Sequence, residues 1–135
     1  MSILQLGGEE LYRDNERPAR APSAITIAAD LNRYREIEVF GCTDEWIRCS
    51  CRLFKPSNAG TVYVWDQCHF ALLAQNISDG QVWQRWTNWT ISQSASGVKF
   101  TPISARETDF GDSGCSTYGA VENVGVQIVR ISGWA

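Results

Sequence analysis

Residues 46–53, Trp46-Ile47-Arg48-Cys49-Ser50-Cys51-Arg52-Leu53, put Ile47, Cys49, Cys51 and Leu53 on one parity and Arg48, Ser50 and Arg52 on the other. Successive side chains of a β-strand face opposite sides of the sheet, so this period of two predicts a strand with one buried face. Residues 61–73 add a second constraint. Val62, Val64, Phe70 and Leu72 alternate with Tyr63, Trp65, Ala71 and Leu73, so that run is apolar on both parities. A strand of this kind is expected to be covered on both sides, by a second sheet or by another subunit. Further strands are predicted over 24–28, 36–41, 86–92, 98–102 and 124–131. Turn-forming residues separate them at 55–60, 76–80, 94–97 and 111–119. Seven or eight short strands in this rhythm predict an all-β chain, an antiparallel β-sandwich or jelly roll. The competing helical signal, residues 30–35, predicts a single turn capped by Asp30.

The first 23 residues differ in character. Gly7-Gly8 is followed by a charged stretch ending in Arg17-Pro18-Ala19-Arg20-Ala21-Pro22. They read as an extended N-terminal arm or lead-in, leaving residues 24–135 as the sandwich domain. A chain of 135 residues matches one domain of the usual size. It buries roughly two-thirds of its unfolded surface and needs no metal or disulfide staple to fold.

Charge and cysteine usage narrow the setting. Twelve basic against fifteen acidic residues give a net charge of −3, and Lys55 and Lys99 are the only lysines. Without a basic cluster, nucleic-acid binding is not expected. No run of about 18 apolar residues is present, so no membrane insertion by a helix is expected. The N-terminus shows no secretion signal. Five cysteines, Cys42, Cys49, Cys51, Cys68 and Cys115, make an odd count that fits free, buried thiols in a reducing cytoplasm better than a secreted disulfide framework. The sequons at Asn76 and Asn88 then read as chance.

Several apparent chemical sites yield to simpler readings. Gly111-Asp112-Ser113-Gly114 resembles the nucleophile motif of chymotrypsin-like proteases. Those enzymes need two barrels to assemble their triad, whereas this chain is about one barrel long, and His69 lies in a strand-like run. Cys49, Cys51, Cys68 and His69 lack ordinary zinc-ligand spacing, and adjacent Cys68 and His69 point to opposite faces of a strand. No phosphate-binding loop, dinucleotide fingerprint or paired catalytic carboxylates appear. The expectation is a non-enzymatic protein with no metal and no cofactor.

Six tryptophans remain, and three of them lie in Trp83-Gln84-Arg85-Trp86-Thr87-Asn88-Trp89. In an extended chain Trp83, Arg85, Thr87 and Trp89 share one face and Trp86 lies on the other. Trp83, Arg85, Trp86, Asn88 and Trp89 are therefore the candidate ligand or interface residues. An exposed Trp beside Arg, Asn and Gln suits stacking against a sugar ring. The same residues suit core packing or a subunit interface.

Two stretches carry a resemblance. The run from Ala24-Ile25-Thr26-Ile27 through Asn32-Arg33-Tyr34 to Ile37-Glu38-Val39-Phe40 resembles the strand, Asn-x-Tyr turn and strand of bacteriophage tail-fibre distal domains. Asn123 to Trp134, ending Ile131-Ser132-Gly133-Trp134, is similar to the closing strand of such domains, and Glu10-Leu11-Tyr12 to their short opening strand. The resemblance implies a homotrimeric β-sandwich in a virion, made in the bacterial host cytoplasm. Its expected partners are other virion proteins and a host surface glycan or protein. The alternatives are a structural virion protein, such as a head decoration or baseplate component, and a free lectin-like module.

Overall fold

The computed structural model of the protein describes residues 8–14, 21–56, 65–78, 81–94, 96–111, 114–118 and 125–135. Among them run β1 (Glu9–Arg13), β2 (Ile25–Ile27), β3 (Glu36–Cys42), β4 (Arg48–Phe54) and β5 (His69–Ser78). They are followed by β6 (Gln81–Ser94), β7 (Gly97–Gly111), β8 (Gly114–Tyr118) and β9 (Gln127–Trp134). The strands pair antiparallel into two sheets. The first has the order β1-β9-β3-β4, and the second the order β2-β7-β6-β5 with β8 added to β7. All-β architecture is thus observed. Sequence neighbours pair in β3–β4 and along β5–β6–β7–β8, while β1–β9, β2–β7 and β3–β9 join distant parts of the chain.

The two sheets share one apolar core. Ile37 and Val39 of β3 and Ile128 and Ile131 of β9 meet Phe70 and Leu72 of β5, Trp89 and Ile91 of β6, and Val98 and Phe100 of β7. Phe70 and Phe100 pack edge to face with centroids 6.1 Å apart, a geometry favoured by the ring quadrupole. Gly41 of β3 leaves no room for a side chain. A Cβ there would lie 2.5 Å from Val126 Cγ1 and 2.8 Å from Leu72 Cδ1, so any larger residue would force these side chains to shift.

Local signals explain several elements. Asp30 caps a 3-10 turn, Leu31–Arg33, by accepting a 3.0 Å hydrogen bond from the Asn32 N–H, as the sequence predicts. Pro102 lies within β7 where the register with β6 shifts, opposite Trp89. Proline has no N–H for the ladder, so a bulge absorbs it. Ser104 pairs with Asn88 and Pro102 with Trp89, which leaves Ile103 as the extra residue, 49% exposed.

Four expectations change. The strand predicted over 61–73 is not continuous: residues 66–67 form a turn, with Gln67 at φ 67°, and β5 begins at His69. Residues 61–64 lie outside the described residues. Trp46 and Ile47 belong to the β3–β4 turn and not to the strand, which starts at Arg48. The segment read as an arm contains β1, hydrogen-bonded to β9 along the edge of the first sheet. Finally, β6 and β7 run to 14 and 15 residues, and β8 follows β7 where turn residues had been read.

Candidate functional site

Strand β6 sorts the predicted site residues into three environments. Arg85, Thr87, Trp89 and Ile91 face inward and are buried. Trp89 is fully buried in the core and its indole N–H meets no hydrogen-bond acceptor, so it is removed from any contact with a ligand. On the opposite parity, Trp86 pairs across the sheet with Leu73 of β5 and Arg106 of β7. Asn88 stands on the same outer face, donating a 2.8 Å hydrogen bond to Ser104 Oγ. The five residues do not form one site.

Arg85 is the centre of a buried charge cluster. It is only 5% exposed. Its Nε donates to Glu107 Oε1 and its Nη1 to Asp44 Oδ1, both at 2.7 Å, while Glu45 Oε1 lies 3.5 Å from Nη2. Its guanidinium stacks over Trp83 at 4.8 Å. Burial alone would lower the Arg85 pKa, but hydrogen bonds and charge from Glu107 and Asp44 outweigh it and hold the pKa above its ordinary value. Asp44 and Glu45 belong to the β3–β4 turn of the first sheet and Glu107 to the second. The cluster therefore clamps the two sheets together at that turn.

The clamped turn presents Trp46. The Thr43 N–H donates to Ile47 O and the Trp46 N–H to Thr43 O, both at 3.0 Å. Thr43 Oγ1 accepts from the N–H groups of Glu45 and Ile47, both at 3.2 Å. Closing the turn this way puts Trp46 at φ 65°, a left-handed conformation in which a bulky side chain is strained. Its indole is 47% exposed. Beside it lies a hollow of about 400 Å³ lined by Arg13, Asp14, Phe40, Gly41, Cys42, Trp46, Arg48, Cys49, Val129 and Arg130. Sequence reasoning missed this place because it assigned Trp46 to a strand.

The outer face of the β5–β6–β7 sheet is a second candidate. On β5 the parity is clean: Phe70, Leu72 and Ala74 are buried, while His69, Ala71, Leu73, Gln75 and Ile77 face out. Leu73 is 47% and Ile77 71% exposed, and Ile103 adds a third aliphatic side chain. Charge is sparse there. Between the rows that start at His69 and Ile77, Arg106 is the one guanidinium or carboxylate among the described residues.

Cys42, Cys49, Cys51 and Cys68 are not in disulfides. Burial pushes each thiol pKa up, to about 11 for Cys49, where the neighbouring Cys42 adds to the effect. At neutral pH these groups are protonated and poorly nucleophilic. No three His, Cys, Asp or Glu side chains converge as a metal site among the described residues. Gly111 pairs with Gly114 across the β7–β8 hairpin, and Asp112 and Ser113 lie outside the described residues. No described helix is long and apolar enough to cross a membrane. Comparison with protein-family models, curated proteins and solved structures gives no match.

Proposed function

We infer that this chain is a non-catalytic recognition domain that assembles with copies of itself through the outer face of the β5–β6–β7 sheet. The observation that carries this reading is the exposure of Leu73, Ile77 and Ile103 on this face, with Leu73 paired to Trp86. Interface centres are depleted in charge and enriched in aromatic residues, and an almost uncharged face meets its own copy without like-charge repulsion. Side-chain pairs already satisfy much of its polar surface. Gln84 donates to Gln75 at 3.0 Å and Asn88 to Ser104, so both pairs enter an interface hydrogen-bonded.

The sequence resemblance to tail-fibre distal domains supplies the setting we propose, a trimeric virion protein that recognises a host surface. The long-range pairs β1–β9, β2–β7 and β3–β9 favour a jelly-roll relative among sandwiches. The test is a paired variant, Leu73→Lys with Ile77→Lys. Both side chains are exposed, so the monomer keeps its circular dichroism and melting temperature while sedimentation shows the assembly falling to single chains. A variant that sediments with the wild type overturns the assignment of this face.

A further inference from the structure

The geometry points to the hollow beside Trp46 as a binding site for a monoanionic sugar, one carrying a carboxylate on a flat-faced ring. This deepens the recognition half of the reading above and lies on the other sheet from the assembly face. Its walls come from four strands and a turn. Arg13 of β1 pairs across with Arg130 of β9, and Arg130 with Phe40 of β3. Arg48 begins β4 opposite Cys42, and Trp46 closes the side at the turn. A volume of about 400 Å³ lies within the range of small-ligand sites, roughly 300–1,000 Å³.

Charge decides the ligand class. Among the described residues, three guanidinium groups line the hollow with one carboxylate, that of Asp14. Glu10 then approaches two of them, at 2.5 Å from Arg13 Nε and 3.7 Å from Arg130 Nε. Counting Glu10, the described residues leave a net charge of about one, which one carboxylate neutralises and a phosphate dianion exceeds. The guanidinium groups are not saturated internally. Arg130 Nε is buried and makes no hydrogen bond, and Arg48 enters no ion pair among the described residues. A planar carboxylate matches the fork of a guanidinium.

Trp46 supplies the ring contact. A half-exposed indole in a left-handed backbone is costly to hold, yet Thr43 closes the turn and Arg85 anchors it through Asp44 and Glu45. An indole held this way offers the apolar face of a pyranose a fixed stacking surface. Arg85, one of the residues singled out in the sequence, acts here as a positioning residue and does not line the hollow.

The test is calorimetric titration of the full chain with glucuronate, glucose and glucose 6-phosphate, with the Trp46 indole N–H followed by NMR. Saturable binding of glucuronate that shifts the Trp46 signal is expected, with glucose at least about tenfold weaker because the charge-assisted hydrogen bond is lost. Arg48→Gln, an exposed surface change, should weaken glucuronate by about tenfold with the fold intact, and Trp46→Ala should weaken glucuronate and glucose alike. Equal binding of glucose and glucuronate, tighter binding of glucose 6-phosphate, or no saturable glucuronate binding overturns the proposal. A Trp86→Ala arm separates the two readings. Loss of assembly with glucuronate binding kept leaves the site standing, while intact assembly without glucuronate binding removes the site and leaves the assembly face.

Discussion

On the outer face of the β1-β9-β3-β4 sheet, Arg52 lies 4.5 Å over Trp134 and Arg130 lies 5.0 Å over Phe40. Arg52 also pairs with Glu36, and Arg13 with Glu10. On the outer face of the β5–β6–β7 sheet, Leu73, Ile77 and Ile103 stand bare. Both faces carry apolar groups at a sheet surface. The first roofs Trp134 and Phe40 with guanidinium groups, which hold their own hydration and shield the ring below, and leaves one ring bare, Phe54 at the end of β4, 70% exposed. The second leaves its aliphatic groups to water. A sandwich needs only its inner faces to fold, so the outer faces record what each surface meets. We propose that the first remains in water and takes a charged ligand and that the second is covered.

The comparison is broken most severely at the clamp that holds the sheets together. Arg85→Ala removes the cation that Asp44 and Glu107 share in a largely buried setting. Breaking such a pair costs about 3 kcal/mol or more, to be read from the midpoint and slope of chemical denaturation. The turn carrying Trp46 should loosen first, seen as faster amide exchange at Glu45 and Ile47. An unchanged midpoint would mean that the sheets are held together by their shared apolar core alone.

A smaller effect of opposite sign is expected at Trp46→Gly. Relief of the left-handed strain should raise stability by about 1 kcal/mol, measured by the same denaturation. A gain there means that Trp46 is kept at the surface at a cost to folding, which sharpens the claim that this end of the first sheet meets a ligand. A loss would make Trp46 a packing residue.

The smallest effect concerns the join of β1 to the first sheet. Tyr34 donates a 2.6 Å hydrogen bond to Glu9 of β1. Burial, then the hydrogen bond and charge of Glu9, push the Tyr34 hydroxyl up to about 12 from its ordinary 10.0. Its stabilising contribution is full below about pH 10, where both folded and unfolded chains keep the proton. It is lost between about 10 and 12, as the unfolded chain ionises first. Glu9→Gln should lessen that alkaline loss, with melting temperature against pH as the readout.

Much of the fold was legible because it depends on local periodicity. Cys49, Cys51 and Leu53 do turn inward, and Trp86 does face away from Arg85 and Trp89, because parity along an extended chain needs no knowledge of partners. Of the cover expected on both sides of residues 70–73, the second sheet supplies one side only. One parity enters the core, and the other is the bare row. The candidate sites were less legible. Arg85 finds its acids at Asp44, Glu45 and Glu107, and Arg13 meets Arg130 across a pairing of the first strand with the last. Such partners are chosen by register between distant strands, which no local pattern encodes. Trp46 was misplaced for a different reason. A bulky residue in left-handed backbone contradicts its own propensity, and only the closed turn beneath it makes that conformation hold.

The division of labour between the two faces is tested most directly by the mass of the wild-type chain in solution, measured by sedimentation over a range of concentrations. The account predicts an assembly, with a mass near three chains, in which Leu73 and Ile77 are shielded. A single-chain mass at every concentration, with both side chains open to solvent, would contradict it.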